Sequence, residues 1–220
     1  MPIFGKTLEK PRSRTHDRAH GRVDVARVRL SGLSKPAVCS ALSDYLGCGP
    51  DDVRLGSGHF GKPKLLEPRP EQPLEFSVSR CDDHCLIAVS LGGVVGVDLE
   101  RRRLIGDIDR IASVYFTPAE ARTIAGLQDD QKLDAFFACW TSKEAYTKAL
   151  GTGLLTPLDM FAFPTSSSNA SSNTRATIHG REWTLSRFEP WPGYTAAVVV
   201  AGRLSHLKFH IKDECVNHPR

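Results

Sequence analysis

The chain has 220 residues, 40% hydrophobic and 25% charged, enough for one large domain or two small lobes with buried cores. No stretch approaches the roughly 20 apolar residues needed to cross a bilayer, and no apolar run of signal-peptide length opens the chain, so the expectation is a cytoplasmic protein without membrane contact. The net charge of +4 suits an acidic macromolecule or a phosphorylated ligand, and without a recognition motif nucleic acid is not expected as a partner.

Residues 1–22 read as a basic, solvated arm. Val23 to Leu30 alternate as a strand, and Pro36 opens a helix through AVCSALSDYLG that ends near Gly47. DDVRL reads as a short strand and SGHFGKPKLLEPRPEQP as a Gly- and Pro-rich connection, after which FSVS, CLIAVSL and VVGVDLE read as three strands. The pattern turns helical from Asp107, where Thr117 caps, Pro118 takes the first helical position and Glu120 completes a capping box. The longest helix runs from about Asp130 to Leu150, with Leu133, Phe136, Phe137 and Trp140 as its apolar stripe and Gly151 as its stop. A low-complexity loop, PTSSSNASSNT, precedes two closing strands, WTLSRFEP and YTAAVVVA. The expected fold is α+β in two lobes, residues 23–92 and 93–205, with a tail over 206–220. Six cysteines in a chain not expected to be secreted are read as thiols, and Cys81, His84 and Cys85 lack the second pair a zinc site needs.

Two segments carry candidate chemistry. In Gly96-Val97-Asp98-Leu99-Glu100 a period of two sends Val97 and Leu99 to one face and both acids to the other, roughly 7 Å apart. Such neighbours repel, and a hard divalent ion with oxygen ligands relieves them; a solvent-facing strand is the plainer alternative. In the long helix Trp140, Glu144 and Lys148 share a face at four-residue steps, which is either a surface ion pair or a carboxylate at the rim of an aromatic stripe. With Lys143, the set can hold Mg²⁺ on a pyrophosphate while ammonium groups neutralise the remaining oxygens. Gly56 to Gly61 spells G-x-G-x-x-G, but Pro63 and the prolines after it forbid the helix that a dinucleotide site needs.

GVDLE followed by FFACWTSKEAYTKALGTGL resembles the paired hallmark of Sfp-type 4'-phosphopantetheinyl transferases, G-[IV]-D-[IL]-E and then W-x-x-K-E-[AS]-x-x-K-x-x-G-x-G-[LI]. Gly61-Lys62-Pro63, the FTPAE helix start and Pro192-Gly193-Tyr194 extend the resemblance over residues 36–201. It implies a pseudo-twofold pair of similar α+β lobes with coenzyme A in the cleft between them. It further implies transfer of the 4'-phosphopantetheine group to a serine of an apo carrier protein, acyl, polyketide or peptidyl, releasing adenosine 3',5'-bisphosphate. Carried over by residue, it makes Asp98, Glu100 and Glu144 the Mg²⁺ ligands, with Glu144 helping to deprotonate the serine. Lys143 and Lys148 would contact the diphosphate, Lys148 would steady the leaving group, and Lys62 would lie along the nucleotide.

Phe76-Ser77-Val78-Ser79-Arg80-Cys81 departs from the family's F-N-[IL]-S-H-[ST]. Ser79 and Arg80 are still expected at coenzyme A, with the guanidinium replacing an imidazole on phosphate, unless Arg80 only caps a strand end in solvent. The basic positions that grip the 3'-phosphate have no clear match, leaving Arg27, Arg29 and Lys35 as candidates. The alternative function is a non-catalytic relative that binds coenzyme A or a carrier protein. Two fused lobes complete a cleft within one chain, so a monomer is expected.

Overall fold

The structure is a computed structural model that describes residues 21–30, 34–58, 60–163 and 173–212. The expected basic arm lies almost wholly outside these residues. In chain order the elements are β1 (Gly21–Arg29), α1 (Ser34–Leu46), β2 (Arg54–Ser57), β3 (Pro63–Glu67), β4 (Leu74–Cys81), β5 (His84–Leu91) and β6 (Val95–Arg101). There follow α2 (Ile108–Tyr115), α3 (Pro118–Ala125), α4 (Asp129–Leu150), β7 (Thr174–Ile178), β8 (Arg181–Phe188), β9 (Tyr194–Ala201) and β10 (Leu204–Lys212).

The chain forms two four-stranded sheets, ordered β10-β1-β5-β4 and β6-β9-β8-β7, and a small β2-β3 ribbon. The same connectivity occurs twice: a first strand, a helix, and a later hairpin whose last strand returns antiparallel to the first, β5 on β1 and β9 on β6. Side-chain alternation then stacks the layers. Ala26, Val28, Cys85, Ile87 and Val89 face α1, whereas Val23, Val25, Leu86 and Ala88 face Val95, Val97, Leu99, Ala196, Val198 and Val200 of the second sheet. The opposite face of that sheet, through Leu185, Ala197 and Val199, receives Ala145, Tyr146 and Ala149 of α4. The order of layers is helix, sheet, sheet, helix. β5 is buried on both faces, which is why HCLIAVSL reads as an almost unbroken apolar run.

The sheets also meet edge to edge. The hydroxyls of Ser77 and Ser79 on β4 accept the backbone N–H groups of Val97 and Leu99 on β6, each at 3.1 Å. The outer edge of β6 is thereby satisfied by side chains rather than by a further strand.

Local signals explain most element ends. Thr117 accepts from the Glu120 N–H while a Glu120 carboxylate oxygen takes the Thr117 N–H, the reciprocal pair expected from sequence. Gly151 ends α4 in the left-handed conformation, φ 72°. Three strands depart from the sequence reading. Part of the Gly- and Pro-rich connection is β3, paired with β2, and no helix follows the G-x-G-x-x-G run. β7 forms directly after the low-complexity segment, most of which lies outside the described residues. Residues 206–212, expected as part of a tail, belong to β10, which pairs parallel with β1 and returns the chain to the first sheet. The alternation of Leu207, Phe209 and Ile211 with Lys208, His210 and Lys212 is the signal that marks this strand.

Candidate active site

The site lies where β6 runs beneath the C-terminal half of α4. Gly96 sets their approach: a Cβ on it would sit 1.9 Å from the Ala145 carbonyl oxygen and 2.4 Å from the Ala149 nitrogen, so only glycine lets strand and helix backbones touch. Two residues on, the same face of β6 carries Asp98, and after it Glu100. Val97 and Leu99 point into the space between the sheets, as the alternation predicts.

Asp98 is 4% exposed. Its Oδ1 accepts from Lys148 Nζ at 2.6 Å and from the Ser79 hydroxyl at 3.0 Å. Ser79 Oγ in turn accepts from Lys148 Nζ at 2.8 Å and from the Leu99 N–H, so every position on this hydroxyl is used. Asp98 Oδ2 is buried without a hydrogen-bond partner. An anionic oxygen in that condition is costly unless a cation or donor completes it.

Glu100 and Glu144 are half-buried and act on this centre through charge. Burial first, then the charge of Asp98, raises the Glu100 carboxyl above its ordinary range, while Arg103 and Lys148 oppose the shift. Glu144 is raised for the same two reasons and is likewise opposed by Lys148. Both thus hold a proton more firmly than a solvated carboxylate. As placed, the acids do not close on one point: among the described residues no group of three ligating side chains stands close enough to hold a metal ion. The donor chemistry nevertheless fits a hard divalent ion, with carboxylate oxygens only and one of them, Asp98 Oδ2, orphaned in the interior.

Three expected contacts take other places. Lys143 is fully buried, and its ammonium lies on the carbonyls of Leu158 (2.7 Å) and Phe161 (2.5 Å) and on the Glu120 carboxylate (2.8 Å). Its three protons are occupied on the face of α4 turned away from Asp98, because one residue along a helix is a rotation of about 100°. The sequence signal is its spacing of four from Cys139 and three from Tyr146, both buried. Arg80 is exposed and donates to the Asp82 carbonyl at 3.2 Å; alternation along β4 turns it to the face opposite Ser79, so it caps a strand end. Lys62 Nζ lies on the carbonyls of Val95 (3.2 Å) and Ala149 (3.1 Å), serving the C-terminus of α4, with Glu75 at 3.9 Å. Burial lowers its pKa, and Glu75 opposes the change.

Of the other basic candidates, Arg27 donates to the Pro190 carbonyl and stacks on Trp191, Arg29 pairs with Asp83 at 3.5 Å, and Lys35 is exposed. Cys39, Cys48, Cys81, Cys85 and Cys139 are free thiols. A cleft of about 630 Å³ opens beside the C-terminus of α4, lined among others by Lys62, Pro63, Leu66, Arg69, Phe76 and Gly151. Sequence reasoning missed a buried polar network on the far side of α4, where Arg187 donates to the Ser142 hydroxyl at 2.9 Å near the Lys143–Glu120 pair.

Comparison with known proteins agrees with this architecture. Residues 94–199, which contain both acid-bearing elements, match the family described as the 4'-phosphopantetheinyl transferase superfamily. The 4'-phosphopantetheinyl transferase HetI of Nostoc sp. is 34% identical over 165 residues, covering 74% of this chain and 67% of that protein. The 4'-phosphopantetheinyl transferase gsp of Aneurinibacillus migulanus is 28% identical over 140 residues, 63% of this chain and 55% of that protein. The transferase AcpT of Escherichia coli K12 is 34% identical over 94 residues, 43% of this chain and 47% of that protein. The chain thus spans about two thirds of the first relative and about half of the others. The chain belongs to the 4'-phosphopantetheinyl transferase superfamily.

Proposed function

We propose that this chain transfers the 4'-phosphopantetheine group of coenzyme A to a serine of an apo carrier protein in a Mg²⁺-dependent reaction that releases adenosine 3',5'-bisphosphate. The observation that carries the reading is Asp98, buried at the β6–α4 contact with one oxygen on Lys148 and the other without a partner, and with Glu100 and Glu144 acting on it electrostatically. Asp98, Glu100 and Glu144 would hold Mg²⁺, and when bound the ion would neutralise charge on the diphosphate.

The protein's own groups then supply three functions. The cleft lined by Lys62, Pro63 and Gly151 receives the nucleotide side of coenzyme A. Lys148 turns its ammonium toward the diphosphate oxygens, which gather charge as the bond to adenosine bisphosphate breaks. Glu144, whose raised affinity for protons suits a base, takes the proton of the serine hydroxyl as the serine oxygen forms its bond to the phosphorus bearing pantetheine. Lys143 has no direct part in this scheme, since its ammonium is occupied in the interior, and Arg80 is given none because it stands on the face of β4 opposite Ser79. Arg103 and Leu104, exposed just past the end of β6, stand where a carrier with acidic and apolar surface would arrive.

The test is to incubate the protein with coenzyme A, Mg²⁺ and an apo carrier protein, then weigh the carrier. A gain of one phosphopantetheine supports transfer; adenosine bisphosphate released without that gain indicates hydrolysis, and neither product indicates a binding protein. Asp98→Asn and Glu144→Gln are each expected to lower turnover by a factor of about 10³ or more while preserving far-UV circular dichroism. Near-normal turnover in either variant removes the assignment.

A further inference from the structure

Lys148 holds Asp98 Oδ1 at 2.6 Å and Ser79 Oγ at 2.8 Å. The ammonium thus meets an acid that is only 4% exposed. Asp98 Oδ2, buried beside this contact, lacks a hydrogen-bond partner. Yet Lys148 remains partly accessible, its side chain 31% exposed, whereas the other lysine of the motif is sealed in the interior. An ammonium beside a carboxylate that also receives a divalent ion puts like charges within a few ångströms of each other, which low-dielectric surroundings make expensive.

We propose that Lys148 is the resident counter-ion of Asp98: it opposes entry of a divalent cation into the protein alone, and it is drawn off Asp98 by the diphosphate of coenzyme A. This rests on the function proposed above and deepens it. The consequence is that metal and coenzyme A bind interdependently, each removing an obstacle to the other. Thermodynamic reciprocity requires the coupling to be equal in both directions. The lysine is a gate for the metal as well as a phosphate ligand, and the Ser79 hydroxyl sets its closed position.

The experiment is a titration of the full chain with Mn²⁺, used as a spectroscopic substitute for Mg²⁺, in the absence and presence of coenzyme A. Wild type is compared with Lys148→Met and with Lys148→Gln, which keeps a donor near Asp98 but no charge, so that the test survives if the Met variant fails to fold. Lys132→Met, which removes a partly buried lysine paired with Asp109 at 3.0 Å, controls for net charge. Without coenzyme A, both Lys148 variants are expected to bind Mn²⁺ about tenfold more tightly than wild type, or better, while the control is unchanged. Coenzyme A is expected to raise the Mn²⁺ affinity of wild type by a larger factor than that of either variant. Equal or weaker Mn²⁺ binding by the Lys148 variants overturns the inference and leaves the metal-site reading intact. Absence of Mn²⁺ binding by all proteins, with and without coenzyme A, overturns both.

Discussion

Lys143 and Glu144 are neighbours in sequence with opposite fates. Glu144 stays within electrostatic reach of Asp98 and Glu100, and Lys143 turns into the protein, where Glu120 and two carbonyls take its protons. Breaking such a pair strands the remaining charge, so Lys143→Met is expected to cost about 3–5 kcal/mol in a urea titration. The folded fraction should keep its KM for coenzyme A; a raised KM at unchanged stability would return Lys143 to the phosphate. The opposite sides of β6 were legible in GVDLE because a period of two leaves little choice, and the Asp98–Lys148 contact vindicates the face assignment. The place of Lys143 was not read, because a motif names residue types while the helical rotation between adjacent positions decides where each points. Lys62 bears on pH. Its native pKa is lowered by burial, so between that value and its ordinary 10.5 the unfolded chain binds more protons, and stability contributed by this residue rises with pH. Wild type should therefore gain on Lys62→Met between neutral pH and pH about 10 in paired urea titrations, and an unchanged difference would contradict the burial argument.

At the scale of elements, the contact between β6 and α4 is fixed by one missing side chain and the join of the sheets by two hydroxyls. Gly96→Ala would force its Cβ into the Ala145 carbonyl, a clash with backbone that rotamer changes cannot relieve. Its expected cost is about 4 kcal/mol or more, seen as loss of cooperative unfolding or of soluble protein; a variant within 1 kcal/mol of wild type would mean that strand and helix part easily, a threshold near the noise of single substitutions. Ser79→Ala leaves the buried Leu99 N–H without its acceptor and should cost about 1–3 kcal/mol. It should also reduce turnover beyond that loss, since the same hydroxyl orients Asp98 and Lys148; a stability loss with unchanged turnover per folded molecule would confine Ser79 to the join. Helix ends were readable from Thr117, Glu120 and Gly151. The β2–β3 ribbon was hidden because proline and glycine around it signal breaks, although Leu65 packs against the first core.

For the whole molecule, the layered arrangement follows from which strands are apolar on both faces. β5 announced its central position by composition, whereas β10 escaped notice because its alternating residues follow the last strand of the second sheet and pair far back in sequence, with β1. Removing residues 204–220 is expected to lower the thermal midpoint by several degrees and to promote self-association through the uncovered β1 edge, checked by thermal denaturation and light scattering. An unchanged midpoint would make β10 an ornament of the fold.

The return of β10 to β1 also sets a timetable. During synthesis the first sheet can gather β1, β4 and β5, but its outer place stays open until the entire second sheet has been made and the final strand emerges. For that interval the nascent chain carries a template for strand addition, and ribosome-bound chains halted before position 204 should be the ones that recruit chaperones or one another.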